Sequence, residues 1–112
     1  MIEDHLSEED IIWKYYNDWH GISSHQYLTE EFIIKHQDKL YWYHVCKYQN
    51  LSENFIIEFQ NKLDWSIISL VQNLSLKFII ENISKLDIRW ILKNEHISEE
   101  IKQDLKMYLE IF

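Results

Sequence analysis

A seven-residue string returns along this chain at a nearly constant interval. Leu28-Thr29-Glu30-Glu31-Phe32-Ile33-Ile34 recurs as Leu51-Ser52-Glu53-Asn54-Phe55-Ile56-Ile57 and as Leu74-Ser75-Leu76-Lys77-Phe78-Ile79-Ile80, 23 residues apart each time. Upstream, Leu6-Ser7-Glu8-Glu9-Asp10-Ile11-Ile12 begins 22 residues before Leu28, and downstream Ile97-Ser98-Glu99-Glu100-Ile101 begins 23 after Leu74. The second halves share one frame too: Lys39-Leu40-Tyr41-Trp42, Lys62-Leu63-Asp64-Trp65 and Lys85-Leu86-Asp87-Ile88, joined by Asp18-Trp19 after a one-residue deletion. A period of this length marks a stack of small supersecondary units, none of which buries its apolar face without its neighbours.

Each unit carries two helix starts. Ser7, Thr29, Ser52, Ser75 and Ser98 are N-cap residues, and the acids behind several of them (Glu8 and Glu9, Glu30 and Glu31, Glu99 and Glu100) suit the positive end of the helix dipole. The residue before the cap and the one five further on form a hydrophobic staple, as with Leu28 and Ile33 or Leu51 and Ile56. In the second half Asp18, Asp64 and Asp87 cap, and Leu63 with Ile68 and Leu86 with Ile91 repeat the staple. Tyr41 holds that cap position without a capping side chain, at a cost of about 1 kcal/mol.

Helical spacing of Phe55 and Phe59, and of Ile101, Leu105, Tyr108 and Phe112, gives each element one apolar face. The pattern predicts helices near 8–16, 19–26, 30–38, 42–49, 53–61, 65–72, 76–84, 88–95 and 99–110. The expected fold is an all-α solenoid: four helical-hairpin repeats (6–27, 28–50, 51–73, 74–96) and a C-terminal cap helix (97–112), forming one domain over 1–112. The links Gln49-Asn50, Gln72-Asn73 and Glu95-His96 are too short to divide it. One Gly and no Pro speak against an all-β alternative, whose turns use both.

Charge is unevenly distributed. Residues 1–31 hold eight acids against the single base Lys14, a net of −7 within a total of −8. Direct nucleic-acid binding therefore lacks its usual electrostatic basis. Cys46 stands alone, so no internal disulfide forms and a reducing compartment is expected. Met1-Ile2-Glu3-Asp4 shows no signal-peptide pattern, and apolar runs such as Ile67-Ile68 and Leu70-Val71 fall far short of the ~20 residues of a membrane span. A cytoplasmic protein without membrane attachment is the expectation.

The pattern Leu-Ser-Glu-x-Phe-Ile followed by Phe-Gln-x-Lys-Leu-Asp-Trp-x-x-Ile-Ser, clearest from Leu51 to Ser69, resembles a tandem repeat of proteins of giant DNA viruses and some bacteriophages. The resemblance spans residues 6–112, with Ile88 in place of the expected Trp and Tyr41 in place of the expected Asp. It implies a helical interaction module and brings no catalytic residues.

Candidate chemistry is thin. His5, His20, His25, His36, His44, His96 and Cys46 form no ligand pair on a helix face, so no metal or cofactor is expected. Cys46 shares its register with Ser23 and Ser69, as a small packing residue. The paired carboxylates recur at helix starts, which dipole compensation explains without catalysis, and Gly21 alone makes no phosphate loop. Asn-x-Ser triplets at Asn50, Asn73 and Asn82 are not expected to be glycosylated without a secretory signal.

Trp19, Trp42 and Trp65 share one repeat position and are expected between repeats, whereas Trp13 and Trp90 lie off register and, with Tyr15, Tyr16, Tyr43 and Tyr48, suit exposed anchors. The expected function is a non-enzymatic protein-binding module. Its acidic, aromatic first repeat, through Glu8, Glu9, Asp10, Trp13, Tyr15 and Tyr16, would contact a basic protein partner. The alternative is a small acidic viral or phage inhibitor that imitates nucleic acid in the groove of a host defence nuclease or other nucleic-acid-binding protein.

Overall fold

The computed structural model describes residues 6–25 and 27–111, the last by its backbone alone. His5 and Phe112, named above as a candidate ligand and an apolar-face residue, lie outside them, as do Glu3, Asp4 and Gln26. Among the described residues every regular element is a helix: α1 (Glu8–Lys14), α2 (Trp19–Ser23), α3 (Glu30–Lys35), α4 (Trp42–Tyr48), α5 (Glu53–Glu58), α6 (Trp65–Val71), α7 (Leu76–Glu81), α8 (Ile88–Lys93) and α9 (Glu99–Ile111).

Each helix begins where its cap residue dictates. Thr29, Ser52, Ser75 and Ser98 accept from the amides of Phe32, Phe55, Phe78 and Ile101 at 3.0–3.2 Å. Asp18, Asp64 and Asp87 accept from the amides of His20, Ser66 and Arg89, and Tyr41 makes no side-chain cap bond. The ends of α1–α8 fall short of the predicted ones. After α3, α5 and α7 the chain leaves helical geometry at His36, Phe59 and Asn82 (φ −111°, −107° and −118°) and winds into a turn in which the amides of Lys39, Lys62 and Lys85 bond back to their carbonyls, each at 2.9 Å. Such a turn keeps side chains near helical spacing, so the apolar pattern runs past the true helix end.

The hairpins stack in series: α2 packs on α4, α4 on α6, α6 on α8, and the cap helix α9 on α7. The body measures 52 × 31 × 19 Å with a radius of gyration of 15.7 Å, above the ~13 Å of a compact chain of this length. Two rungs form the core. Ile11, Ile33, Ile56 and Ile79 line the odd-numbered helices, and Ile22, Val45, Ile68 and Ile91 line the even-numbered ones, all buried. The staple residues Leu28, Leu51, Leu74 and Ile97, with Leu40, Leu63 and Leu86, are buried in the same cluster.

Helices of five to seven residues in α1–α8 leave a large share of their amides and carbonyls without an intrahelical partner. Side chains of the following repeat supply the missing partners. The Gln49 amide donates to the carbonyls of Ser23 and His25 and accepts from the Leu28 amide. Gln72 repeats this one step on, with the carbonyls of Cys46 and Gln49 and the Leu51 amide. Asn94 closes the ladder by donating to Ser69 and Gln72, while its own oxygen accepts from His96. All three side chains are buried.

Three further ladders run beside it. The Ser23 and Ser69 hydroxyls accept from the amides of Tyr41 and Asp87, the N-cap residues of the next second-half helix, at 2.8 and 2.9 Å. Glu30 holds the amide and hydroxyl of Ser52, and Glu53 those of Ser75, so the acid behind each cap also fixes the next one. Lys39, Lys62 and Lys85 lie over the rings of Trp19, Trp42 and Trp65 of the preceding repeat at 5.4–5.7 Å. Those tryptophans sit half-buried at the seams between repeats, the place their shared register predicted.

Replacing Gln72 by Ala leaves two carbonyls and the Leu51 amide without partners at a buried seam. The expected loss is about 2–3 kcal/mol in urea-induced unfolding. A loss below half a kcal/mol means that the seam does not depend on this ladder.

Candidate interaction surfaces

The first repeat departs from the others through its missing residue. Helix α1 is one residue longer than α3, α5 and α7, and its connection to α2 is correspondingly tighter. Tyr16 and Asn17 make that connection in the left-handed region (φ 49° and 61°), with the Asn17 amide bonded to the Ile12 carbonyl at 3.2 Å in a Schellman-type closure. For a tyrosine this backbone costs about 1–2 kcal/mol. Asn17 also occupies the place that the buried staples Leu40, Leu63 and Leu86 fill elsewhere.

The tight turn divides the two tyrosines. Tyr15 points inward, bonded through its hydroxyl to Nδ1 of the buried His25 at 2.8 Å. Its ring lies over Gly21, where an added Cβ would come within 2.8 Å of Tyr15 Cδ1, so glycine is what this packing admits. Tyr16 is thrown outward and is 82% exposed, beside Trp13 at 75%, their ring centres 6.2 Å apart.

The acids of this repeat are divided as well. Glu8 pairs with Lys35 at 3.0 Å and lies 3.8 Å from His36 Nε2. Asp10 forms a capping box with Ser7, each side chain holding the other's amide. Glu9 and Asp10 line a shallow, open depression with Ile12 and Trp13. Of the six residues read from the sequence, Glu9, Asp10, Trp13 and Tyr16 thus share one exposed end of the array, while Glu8 and Tyr15 face partners inside the protein.

A second aromatic cluster lies on α2 and α4. His20 stacks on Tyr41 at 3.6 Å and 13°, and His44 sits 5.7–6.3 Å from the rings of His20, Tyr41, Tyr43 and Tyr48. Tyr41, Tyr43 and Tyr48 are 43–51% exposed. Sequence reasoning marked Tyr43 and Tyr48 as exposed anchors but did not join them to the histidines. The signal was Tyr41, read only as a missing cap. Trp90, the other off-register tryptophan, is half-buried with Lys93 5.3 Å from its ring centre.

No group of three or more His, Cys, Asp or Glu among the described residues converges to hold a metal. The Cys46 thiol is buried, and burial pushes it up to about 11, while its sulfur takes the Asp64 amide as Ser23 and Ser69 take those of Tyr41 and Asp87. His36 lies against Phe32 and Trp19, and burial holds it below its ordinary value, Lys35 and Lys39 adding to the fall and Glu8 opposing it.

The Cys46 thiol is expected to stay inert to thiol reagents at pH 8 in the folded protein and to react on unfolding, with Cys46→Ser stable to within about 1 kcal/mol of the parent. Rapid labelling without unfolding would contradict this. For His36, the unfolded chain binds the proton more tightly than the folded one, so stability falls as pH drops below about 6.5. His36→Phe, which copies Phe59 at the same register, should flatten the slope of the unfolding midpoint in that window. An unchanged slope assigns it elsewhere. Compared with protein-family models, with curated proteins and with solved structures, the chain matches none.

Proposed function

We propose that this chain is a non-enzymatic protein-interaction module of viral or phage type, whose first-repeat end docks a basic partner. The supporting observation is the pair Trp13 and Tyr16, 75% and 82% exposed beside Glu9 and Asp10, with Tyr16 held on a turn that costs backbone strain. Large exposed aromatics of this kind carry much of the energy at protein interfaces, and the acids around them select a partner of opposite charge. The resemblance to viral and phage repeats, which implies a helical interaction module without assigned chemistry, points the same way.

The nucleic-acid-mimic reading is weaker. It is favoured by small size and a net charge of −8. A mimic needs a row of free carboxylates, however, and Glu30 and Glu53 are held against Ser52 and Ser75. Displacement of nucleic acid from the captured target would favour it; capture without displacement favours the module.

Tyr16→Gly separates folding from binding, because glycine relieves the left-handed backbone while removing the anchor. The variant is expected to be as stable as the parent or up to about 1 kcal/mol more so. Combined with Trp13→Ala it should weaken a partner captured from the native host by at least about 100-fold. Capture that survives this pair and the reversal Glu9→Lys would overturn the reading.

A further inference from the structure

The odd-numbered helices carry a second row of isoleucines outside the buried one. Ile12, Ile34, Ile57 and Ile80 stand one repeat apart on α1, α3, α5 and α7. Their neighbours Ile11, Ile33, Ile56 and Ile79 fill the core, whereas Ile34 and Ile57 are each 39% exposed and Ile12 and Ile80 are half-buried. The result is an apolar stripe along the outside of this layer. Two open depressions lie on it, one lined by Ile12 with Glu9, Asp10 and Trp13, the other by Ile57 with Glu53, Asn54, Lys77 and Glu81.

The side chains beside the stripe are predominantly acidic. Three residues before the isoleucines stand Glu9, Glu31, Asn54 and Lys77, and one residue after them stand Trp13, Lys35, Glu58 and Glu81, all exposed. Lys35 is paired with Glu8. That leaves Lys77 against four acids, and the cap helix adds Glu100 and Asp104 at the same two registers. Over their full length α1, α3, α5, α7 and α9 hold twelve acids and five bases. The lysines of the turns that follow, Lys39, Lys62 and Lys85, lie over the seam tryptophans and leave the acids in excess.

We infer that the stripe seats a basic amphipathic helix of the partner protein, laid along the stack from the first-repeat end towards α7. The inference rests on the reading of that end as the dock for a basic partner, and it names the element the partner brings. Charge complementarity selects a basic occupant: a second copy of this chain, or an anionic lipid surface, would set acid against acid. The pitch of the array selects a helix. Five helices of this layer share a body 52 Å long, so one step measures about 10 Å. A helix rising about 1.5 Å per residue covers a step in about seven residues, which is two turns and returns the side chain to the same face. An extended strand covers it in about three residues, which sends successive contacts to opposite faces. From Ile12 to Ile80 the occupant is therefore about 21 residues long, with an apolar residue in every seventh place and bases beside it.

The test selects, on the full chain, from a displayed library of helical segments of about 21 residues, randomised at and beside every seventh position. Enrichment of Leu, Ile or Met at seven-residue spacing, flanked by Lys or Arg, is expected. The selected peptides should bind about tenfold more weakly to Ile57→Ser and to Glu58→Lys, and more tightly to Lys77→Glu, which removes the one base of wrong sign. All three positions are exposed, so thermal midpoints near the parent's are expected, and a gain in affinity is not something misfolding can imitate. Absence of any enriched helical peptide, equal binding of the same residues in scrambled order, or a dimer of the chain that Ile57→Ser dissolves would each overturn the inference. Basic peptides that respond to Trp13→Ala and Glu9→Lys but not to Ile57→Ser would overturn it and leave the first-repeat reading standing. Enrichment of acidic peptides would overturn both.

Discussion

Orphaned backbone groups at the ends of very short helices are the constraint on which the rest of this structure depends. A helix of six residues satisfies few of its own amides and carbonyls, and a chain that packs eight such helices multiplies the problem at every link. Burial makes unpaired groups costly, so the carbonyls that end α2, α4 and α6 require donors. The side-chain amides of Gln49, Gln72 and Asn94 provide them, each reaching back into the seam it helps to close. Backbone satisfaction is therefore a property of pairs of repeats and not of single ones.

That dependence explains the layout of the remaining interactions. A Ser or Cys accepting the next amide, a Glu fixing the next cap and a Lys over the preceding Trp all join repeat to neighbour and reach no further. Stability is then the sum of unit and nearest-neighbour terms, and the ends are where terms go missing. Asp10 stands where Phe32, Phe55 and Phe78 pack, and it makes a capping box instead. At the other end Lys102 stands at the register of Ile33, Ile56 and Ile79, and α9 extends to thirteen residues to bury Leu105. Each end meets its lack of a neighbour by a change of residue type.

How much of this was legible in the sequence follows from the range of each interaction. Helix starts are set by contacts within three residues, and Ser7, Thr29, Ser52, Ser75 and Ser98 located theirs. Helix ends were read too long because the turns after His36, Phe59 and Asn82 preserve apolar spacing. The seam ladders were visible only as recurrence: Gln49 and Gln72 were taken for links, although a residue repeated at 23-residue spacing in a polar link is itself a sign of an inter-repeat bond. In the candidate site, charge and aromaticity found the first repeat, but the direction of each side chain depended on a turn made by the deletion. Tyr15 inward and Tyr16 outward is not a distinction that composition or periodicity carries.

The same nearest-neighbour logic limits where recognition can reside. Positions that close seams are held by two repeats at once, and a change there must be matched across the seam. Freedom is left to the ends and to the outward rows of each layer, where successive repeats differ most: His20, Tyr43, Ser66 and Arg89 in one row, Ser24, Lys47, Leu70 and Lys93 in another. Conserved spacing with divergent chemistry is what a binding surface built on a repeat requires, since the rows fix distance while the side chains fix identity. Within the acidic odd-numbered layer, Glu8, Glu30 and Glu53 already serve neighbouring repeats. Net charge alone would have treated every carboxylate of the acidic side as free for a partner; the hydrogen bonds show that several of them are already engaged within the array.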